Sequence, residues 1–230
     1  MRIANADNDC LLMCCSCAVA LKGLRSGTFV ECGGFDGETA SNTLSLELEF
    51  GWTGLVIEPN PYYYAQLHAR NRNIWSLNSC LSAERWSTRL GIPVRCADHL
   101  PFEDCRQAAQ MSQHSDSDVI QVPCFTFTSI MRALNITTID YFSLDVEGME
   151  LPVVQTIPFE SHVIKVLSIE YRHSRGGKEP ILHLMRSKGY SVFKNITHSE
   201  PKRSLYVDDL MFIRNDVLHE IHGPTTANKN

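Results

Sequence analysis

The sequence predicts an α/β fold with a mostly parallel sheet, and three observations indicate it. Short apolar runs alternate along the chain with stretches of helical spacing. Most of these runs are continuous, which is typical of strands that are buried on both faces of a parallel sheet. Near the carboxyl end, two strand patterns, Tyr190–Ile196 and Ser204–Arg214, follow each other and can form an antiparallel edge. Ligands of such sheets bind at the carboxyl ends of the parallel strands.

The segment Thr28–Asn60 has the pattern of a strand, a glycine loop, a helix and a second strand. Its first apolar run ends in Glu31. Three glycines then mark a turn at which the backbone can bend sharply and approach a ligand closely. They are Gly33, Gly34 and Gly37. This layout is typical of a unit that binds a nucleoside.

A helix is expected after the glycines. From Glu38 onward, Ala40, Leu44 and Leu48 recur at a spacing of four, which would place them on one face packed against the sheet. Gly51 is expected to end this helix.

The second strand of the unit, Leu55–Ile57, ends in Glu58. Asn60 can cap the next helix and Pro61 suits its first position, so Glu58 would lie at a defined corner between strand and helix. A carboxylate at that corner can accept hydrogen bonds from both hydroxyls of a ribose.

The charges and the glycine spacing favour S-adenosylmethionine over a dinucleotide. No frame through the glycines has the Gly-x-Gly-x-x-Gly spacing of a pyrophosphate site. Glu31 would repel a pyrophosphate but attract the ammonium and sulfonium groups of S-adenosylmethionine. Alternatively, Glu31 and Glu58 only cap or solvate the strand ends. The predicted cofactor-binding residues are Glu31, Gly33, Gly34, Gly37, Glu58 and Asn60.

Length and composition indicate one enzyme-sized domain. The chain has 230 residues, of which 43% are hydrophobic and 20% charged, enough for a sizeable core. A formal net charge of −5 argues against a nucleic-acid partner, because phosphate binding needs clustered lysines and arginines. Arg70 and Arg72 are interpreted as solvated surface charges.

The amino-terminal region is apolar and rich in cysteine. Cys10–Leu21 falls short of the roughly 20 apolar residues that span a bilayer. We expect residues 1–27 to be a helix or the remnant of an anchor. Residues 28–214 are expected to form the α/β domain with the cofactor site, and residues 215–230 a polar tail. Of nine cysteines, four lie mid-chain and could pair in a lumenal compartment. They are Cys80, Cys96, Cys105 and Cys124.

A second informative segment is Ile139–Pro152, in which a buried strand presents Asp145 and Glu147 at its carboxyl end before Gly148 turns the chain. The two carboxylates can bind a metal, orient a substrate or act as a base. Alternatively, Glu147 caps the following helix and Asp145 only bonds the backbone. We assign no metal site to the chain.

A third segment, Val163–His173, predicts another buried strand that ends in Glu170, with His173 just beyond it. Either side chain could accept a proton from a substrate hydroxyl or amine. The candidate catalytic residues are Asp145, Glu147, Glu170 and His173. Five further elements are expected: a strand at Ile74–Leu77, a polar insertion at Arg95–Gln121, a strand and a helix within Val122–Leu134, and a helix at Ile181–Ser187.

Five stretches of the chain resemble the FkbM-type methyltransferase family, and within it the animal Star-like branch. They are FVECGGFDGE, IEPNP, YFSLDVEGME, VLSIEY and DDLMFIR, and the resemblance extends from about Leu21 to Arg214. One departure is that bacterial members commonly have a lysine at the position of Ser143.

The resemblance implies a class I methyltransferase fold, which is a Rossmann-like three-layer sandwich around a seven-stranded sheet. It further implies S-adenosylmethionine as cofactor and O-methyl transfer to a small-molecule, glycan or protein acceptor, with Asp145, Glu147 and Gly148 matching the family's Asp-Val-Glu-Gly motif.

The Star-like branch implies a second hypothesis. Its members resemble methyltransferases but act in trafficking from the endoplasmic reticulum to the Golgi and endosomes, usually with an amino-terminal anchor. On this hypothesis the partner is a membrane-protein cargo and the location is the endomembrane system. A cytoplasmic location is expected if the chain is complete and has no anchor.

Overall fold

The structure is a computed structural model, and it describes residues 16–93, 119–199 and 206–222. Ten strands lie in the described residues: β1 (Thr28–Cys32), β2 (Thr53–Ile57), β3 (Trp75–Leu77), β4 (Cys80–Leu81), β5 (Thr88–Pro93), β6 (Val119–Phe125), β7 (Thr138–Leu144), β8 (Val163–Glu170), β9 (Tyr190–Ser199) and β10 (Tyr206–Arg214). The helices are α1 (Leu44–Phe50), α2 (Pro61–Ala69), α3 (Phe127–Ala133), α4 (Glu150–Thr156), α5 (Lys178–Ser187) and α6 (Asn215–His222), and residues 16–20 are also helical.

The main sheet has seven strands in the order β3-β2-β1-β7-β8-β10-β9. Strands β3, β2, β1, β7 and β8 are parallel, whereas β10 runs antiparallel to both β8 and β9. The predicted α/β fold with an antiparallel edge is confirmed. The strand order reverses between β1 and β7, so their carboxyl ends flank the crevice in which ligands of such sheets bind.

Two apolar clusters cover the two faces of this sheet, because neighbouring residues of a strand point to opposite faces. Phe142 belongs to one cluster and Tyr141 to the other. Cys17 and Ala20 from the amino-terminal helical residues are buried in the second cluster. Three residues of α6 also pack against it: Val217, Leu218 and Ile221. The segment expected to be a polar tail therefore begins with an amphipathic helix.

Helix α1 differs from its prediction. It begins at Leu44, and Ala40 lies in the preceding loop with a φ of +55°. Leu48 is 51% exposed, so the expected apolar face is wrong, and Leu46 is the buried leucine of this helix. Gly51 ends the helix in the left-handed conformation, as predicted.

A second, three-stranded sheet with the order β4-β6-β5 was not expected from the sequence. A disulfide between Cys80 and Cys124 joins β4 to β6. The predicted insertion Arg95–Gln121 lies mostly outside the described residues, but its last three residues belong to β6. Cys96 and Cys105 also lie outside them. No helix within the described ranges is long and apolar enough to cross a bilayer.

Candidate functional site

The loop after β1 contacts the segment after β7 at the point where the strand order reverses. Gly33 has a φ of +90°, and a Cβ on it would lie 2.2 Å from the carbonyl oxygen of Asp145. The Asp145 amide also donates a hydrogen bond to the Cys32 carbonyl at 3.1 Å. Gly33 therefore allows the glycine loop and the Asp-Val-Glu-Gly segment to meet.

The other two glycines of the loop are required by packing. A Cβ on Gly34 would lie 2.1 Å from Cγ1 of Val56 in β2. Gly37, with a φ of +81°, approaches Leu67 of α2, whose Cδ1 would lie 2.5 Å from the added Cβ. The loop is thus packed tightly onto β2 and α2. The expected contacts of these glycines with a cofactor stay predictions.

Glu31 is buried and holds the segment that leads into α1. One of its carboxylate oxygens accepts a hydrogen bond from the Asn42 amide at 2.6 Å. The other accepts from the hydroxyls of Ser41 at 3.0 Å and Thr43 at 2.5 Å. The structure therefore gives Glu31 a positioning role, and its predicted attraction for a cationic cofactor group stays a prediction.

Arg72 is buried beside the same loop and donates several hydrogen bonds to it. Sequence reasoning missed this residue. Its side chain is 4% exposed and pairs with Glu47 at 2.8 Å. It also donates to the Gly37 carbonyl at 2.8 Å and to the hydroxyls of Ser41 and Thr43, both at 3.1 Å. The expected surface position is wrong for Arg72. No local signal distinguishes it, because its partners lie 25 to 35 residues away along the chain.

Arg70 is more exposed than Arg72 and contacts the same loop from outside. Its guanidinium lies 3.1 Å from carboxylate oxygens of both Asp36 and Glu38. Hydrogen bonds from the amides of Glu38 and Thr39, together with Arg70, hold the pKa of Asp36 below its ordinary value despite the opposing effect of burial.

Glu58 lies at the corner between β2 and α2. Its two carboxylate oxygens accept hydrogen bonds from the amides of Phe35 at 2.8 Å and Asn60 at 2.7 Å. Burial raises its pKa to about 7. Since an ionised carboxylate has about four acceptor positions, lone pairs remain for ribose hydroxyls. The predicted cap is confirmed: Asn60 accepts from the Tyr62 amide at 2.9 Å, and proline begins the helix.

Glu150, which sequence reasoning also missed, holds the turn after β7. One oxygen of its fully buried carboxylate accepts from the amides of Val146 at 3.0 Å and Gly148 at 2.9 Å. The other accepts from the Ser174 hydroxyl at 2.8 Å. Glu150, rather than Glu147, therefore satisfies the backbone at the start of α4.

Glu147 and His173 form a carboxylate–imidazole pair. Nδ1 of His173 lies 2.8 Å from Glu147 and 3.6 Å from Glu170. An ionised carboxylate only accepts hydrogen bonds, so a proton on Nδ1 would face Glu147 and would leave the lone pair on Nε2. Both side chains are about a quarter exposed, at 22% and 27%, so a substrate can reach them.

Several carboxyl groups lie close together at the carboxyl edge of the main sheet, next to this pair. Oxygen atoms of Asp145, Glu150 and Glu170 lie within 4.8 Å of one another. Burial, followed by the charge of Glu150, raises the pKa of Asp145 to about 7. Burial and the charges of Asp145 and Glu150 raise the pKa of Glu170 to about 9. The four predicted catalytic residues thus lie together, next to the predicted cofactor loop.

The strand order and the nucleoside-type loop at its reversal define a Rossmann-like methyltransferase fold. The family model described as the methyltransferase FkbM domain matches residues 31–192. The chain therefore belongs to the FkbM methyltransferase family, whose cofactor is of the S-adenosylmethionine type. Among curated proteins, no sequence matches the chain.

Solved structures agree with this fold. A proposed RNA methyltransferase from Pyrococcus horikoshii has a TM-score of 0.51 and 9% identity, over 90% of this chain and 82% of that one. A proposed O-methyltransferase from Klebsiella pneumoniae has a TM-score of 0.51 and 8% identity, over 94% and 83%. Fibrillarin from Aeropyrum pernix, solved with S-adenosyl-L-methionine, has a TM-score of 0.47 and 15% identity, over 86% and 74%. The first two show a shared fold alone.

Proposed function

We propose that the chain transfers a methyl group from S-adenosylmethionine to an oxygen atom of an acceptor. The observation that carries this proposal is the contact between Gly33 and Asp145, because it brings the donor loop and the candidate acceptor residues to one edge of the sheet. A methyl group bound at the loop would therefore face carboxylates and an imidazole.

On the donor side, Glu58 would accept hydrogen bonds from the ribose hydroxyls through its remaining lone pairs. Glu31 and the adjoining glycine loop would face the methionine part of the cofactor. The loop needs little rearrangement to bind the cofactor, because Glu31 and Arg72 already hold it through hydrogen bonds to Ser41 and Thr43.

On the acceptor side, His173 is the base that the geometry favours. Glu147 lies 2.8 Å from Nδ1, and a proton on Nδ1 would leave Nε2 to accept the proton of an acceptor hydroxyl. The bound cofactor would supply an electrophilic methyl group, which the hydroxyl oxygen would attack in line while the electron pair of the carbon–sulfur bond stays on sulfur. Asp145 and Glu170 would orient the acceptor by accepting hydrogen bonds.

Alignment accounts for much of such a reaction, because the sulfonium methyl is already a strong electrophile. A modest base is therefore sufficient. The acceptor is a small molecule, a glycan or a protein hydroxyl. The net charge of −5 disfavours nucleic acid.

Cofactor binding is tested by calorimetric titration of S-adenosylmethionine into the wild type, Glu58→Ala and Glu58→Gln. We expect the wild type to bind one equivalent and Glu58→Ala to bind at least about tenfold more weakly, since hydrogen bonds to a charged group contribute about 1.5–3 kcal/mol. Glu160→Gln is the control, because Glu160 is exposed and pairs with Lys188. Wild-type affinity in Glu58→Ala would contradict the assigned ribose contact.

Transfer is tested with cofactor that carries a labelled methyl group and with fractionated hydroxyl-bearing acceptors. Methyl ethers survive alkali, whereas methyl esters do not, so alkaline treatment separates the two oxygen products. His173→Asn is expected to lower the rate about 10²–10⁴-fold while cofactor affinity stays unchanged. A full rate in this variant would assign the base elsewhere.

The Star-like adaptor is the alternative, and it rests on sequence resemblance. It requires the fold and an exposed binding face but no cofactor. If titration of S-adenosylmethionine into the wild type gives no heat of binding and the cofactor does not raise its melting temperature, the enzyme proposal fails and the adaptor is favoured.

A further inference from the structure

The acidic edge of the sheet gathers four carboxyl groups that have no lysine or arginine partner among the described residues. They are the cluster Asp145, Glu150 and Glu170, and Asp209 of β10. None of the lysines and arginines in the described residues forms an ion pair with any of these four. His173 is in contact with Glu170, but its nearest carboxylate is Glu147.

The geometry of the cluster suits a cation with oxygen ligands. One carboxylate oxygen from each of the three cluster residues lies within 4.8 Å of the other two. Opposite ligands of a cation with bonds of about 2.1–2.4 Å lie roughly 4.2–4.8 Å apart. Both lone pairs of one Glu150 oxygen are used by backbone amides, but its other oxygen accepts a single hydrogen bond from Ser174. That oxygen keeps a lone pair for a cation.

Asp209 points independently to a ligand at this position. It is directly opposite Glu170 in the antiparallel pairing of β10 with β8, and opposed residues present their side chains on the same face. It is 8% exposed, and within the described ranges its carboxylate accepts no hydrogen bond. Its side chain therefore lies on the face that carries Glu170, and the charges of Asp145 and Glu150 act on it there. A buried carboxylate in this state needs a partner.

We propose that Asp145, Glu150 and Glu170, with Asp209 beside them, bind one divalent cation of the magnesium or manganese type. Carboxylate oxygens are the ligands that these hard cations prefer. A cation would supply the positive charge that the edge lacks. This goes beyond the sequence interpretation, which assigned no metal.

The chemical role of the cation rests on the proposed function, whereas its binding does not. Asp145 lies against the donor loop through Gly33, so an oxygen atom bound to the cation would lie near the cofactor. A bound cation lowers the pKa of such a hydroxyl and orients it. The proton could then pass to Nε2 of His173.

The test is titration of Mn²⁺ into the metal-free full chain, with free Mn²⁺ followed by electron paramagnetic resonance. We expect one Mn²⁺ per chain, displaced by Mg²⁺. Glu170→Gln and Asp209→Asn should each weaken binding by about tenfold or more, the range seen when groups around a metal are removed. Circular dichroism checks the fold, and the isosteric Asp209→Asn keeps the test valid if Glu170→Gln does not fold.

Asp208→Asn is the matched control, because Asp208 directly precedes Asp209 in β10 and neighbouring residues of a strand present their side chains on opposite faces. It should change Mn²⁺ affinity less than about threefold. No Mn²⁺ binding by the wild type at millimolar concentration, or equal binding by wild type and both variants, would overturn the proposal. Titration of S-adenosylmethionine into the same metal-free sample tests the donor site separately, so the two failures can be distinguished.

Discussion

The donor half and the acceptor half of the site handle buried charge in opposite ways. In the donor half, Glu31 accepts hydrogen bonds from Ser41, Asn42 and Thr43, and Arg72 offsets its charge from 4.0 Å. In the acceptor half, Asp145, Glu170 and Asp209 share one edge without a comparable cation among the described residues.

The difference indicates what each half is built to do. A loop that Arg70 and Arg72 hold through ion pairs and hydrogen bonds keeps one shape before the cofactor arrives, which lowers the ordering cost of binding. An edge whose carboxyl groups have no lysine or arginine partner among the described residues can still bind a ligand of the opposite charge or a hydrogen-bond donor, whether a cation or an acceptor. Four variants and conditions test this contrast, beginning with the contact that joins the halves.

Gly33→Ala should have the largest effect. The added methyl group would lie 2.2 Å from the Asp145 carbonyl oxygen, and φ is +90°. We expect a loss of about 3–5 kcal/mol in the free energy of unfolding, measured by denaturant titration. Gly51→Ala is the control, because φ is +68° there but the added Cβ meets nothing within 4 Å. It should cost about 1–2 kcal/mol. Equal losses would show that the contact between the halves is unimportant.

Arg72→Gln should rank second. It removes a buried cation and leaves Glu31 and Glu47 without their positive partner, so stability should fall by about 3 kcal/mol. Arg70→Gln is the matched comparison, since its side chain is 37% exposed, and it should cost less than about 1 kcal/mol. If thermal melts of the two variants coincide, the donor half does not depend on internal charge pairing.

Cofactor affinity should depend on pH through Glu58. Its pKa is about 7, so the ionised form becomes populated as pH rises from 6 to 8. The ionised form accepts hydrogen bonds from the ribose best. Affinity should rise up to about tenfold over this range. Stability of the free protein should change in the opposite direction. Because folding raises this pKa from 4.5, the Glu58 contribution is full below pH 4.5 and is lost as pH rises through about 7.

Calorimetry at pH 6, 7 and 8 measures the affinity change. Glu58→Gln should show a smaller rise than the wild type, since an amide does not titrate there, whereas Asp145, whose pKa is also about 7, still changes charge beside the loop. A wild-type profile that matches the variant would remove Glu58 as the source.

Ser143→Ala should have the smallest effect. Asn42 donates a hydrogen bond to the Ser143 hydroxyl at 3.0 Å, which is a second link between the donor loop and β7. Its loss should cost about 1 kcal/mol of stability. The hydroxyl of Ser187 also donates a hydrogen bond, to Leu184 at 2.7 Å, but it is exposed, so Ser187→Ala should stay within about 0.5 kcal/mol of wild type in a thermal melt. A larger cost for Ser187→Ala would contradict the burial argument.

Much of the fold could be predicted because its signals are local. The apolar runs before Glu31, Glu58, Asp145 and Glu170 each became a strand of the main sheet. The corner at Asn60 and the end of α1 at Gly51 also follow from single residues with strong conformational preferences. The sequence therefore indicated the carboxyl edge that holds the candidate site.

Other parts depend on long-range pairing, which leaves no local pattern. Arg72 has the surroundings of a surface arginine in the sequence, and only the fold brings it to Glu31 and Gly37. Asp209 meets Glu170 through the antiparallel register of β10 and β8. The apolar spacing of Ala40 and Leu48 was misleading, because Ser41, Asn42 and Thr43 form a polar loop instead of a first helical turn.

The Cys80–Cys124 disulfide makes part of the chain a covalent ring. Its two ends are 44 residues apart, and the ring contains all of β5 and most of β6. A protease that cuts once inside it, for example after the exposed Arg85 or Arg89, would leave two fragments that separate only on addition of a reductant. Such rings persist in oxidising surroundings. The redox state of the compartment therefore decides whether one cut divides the molecule.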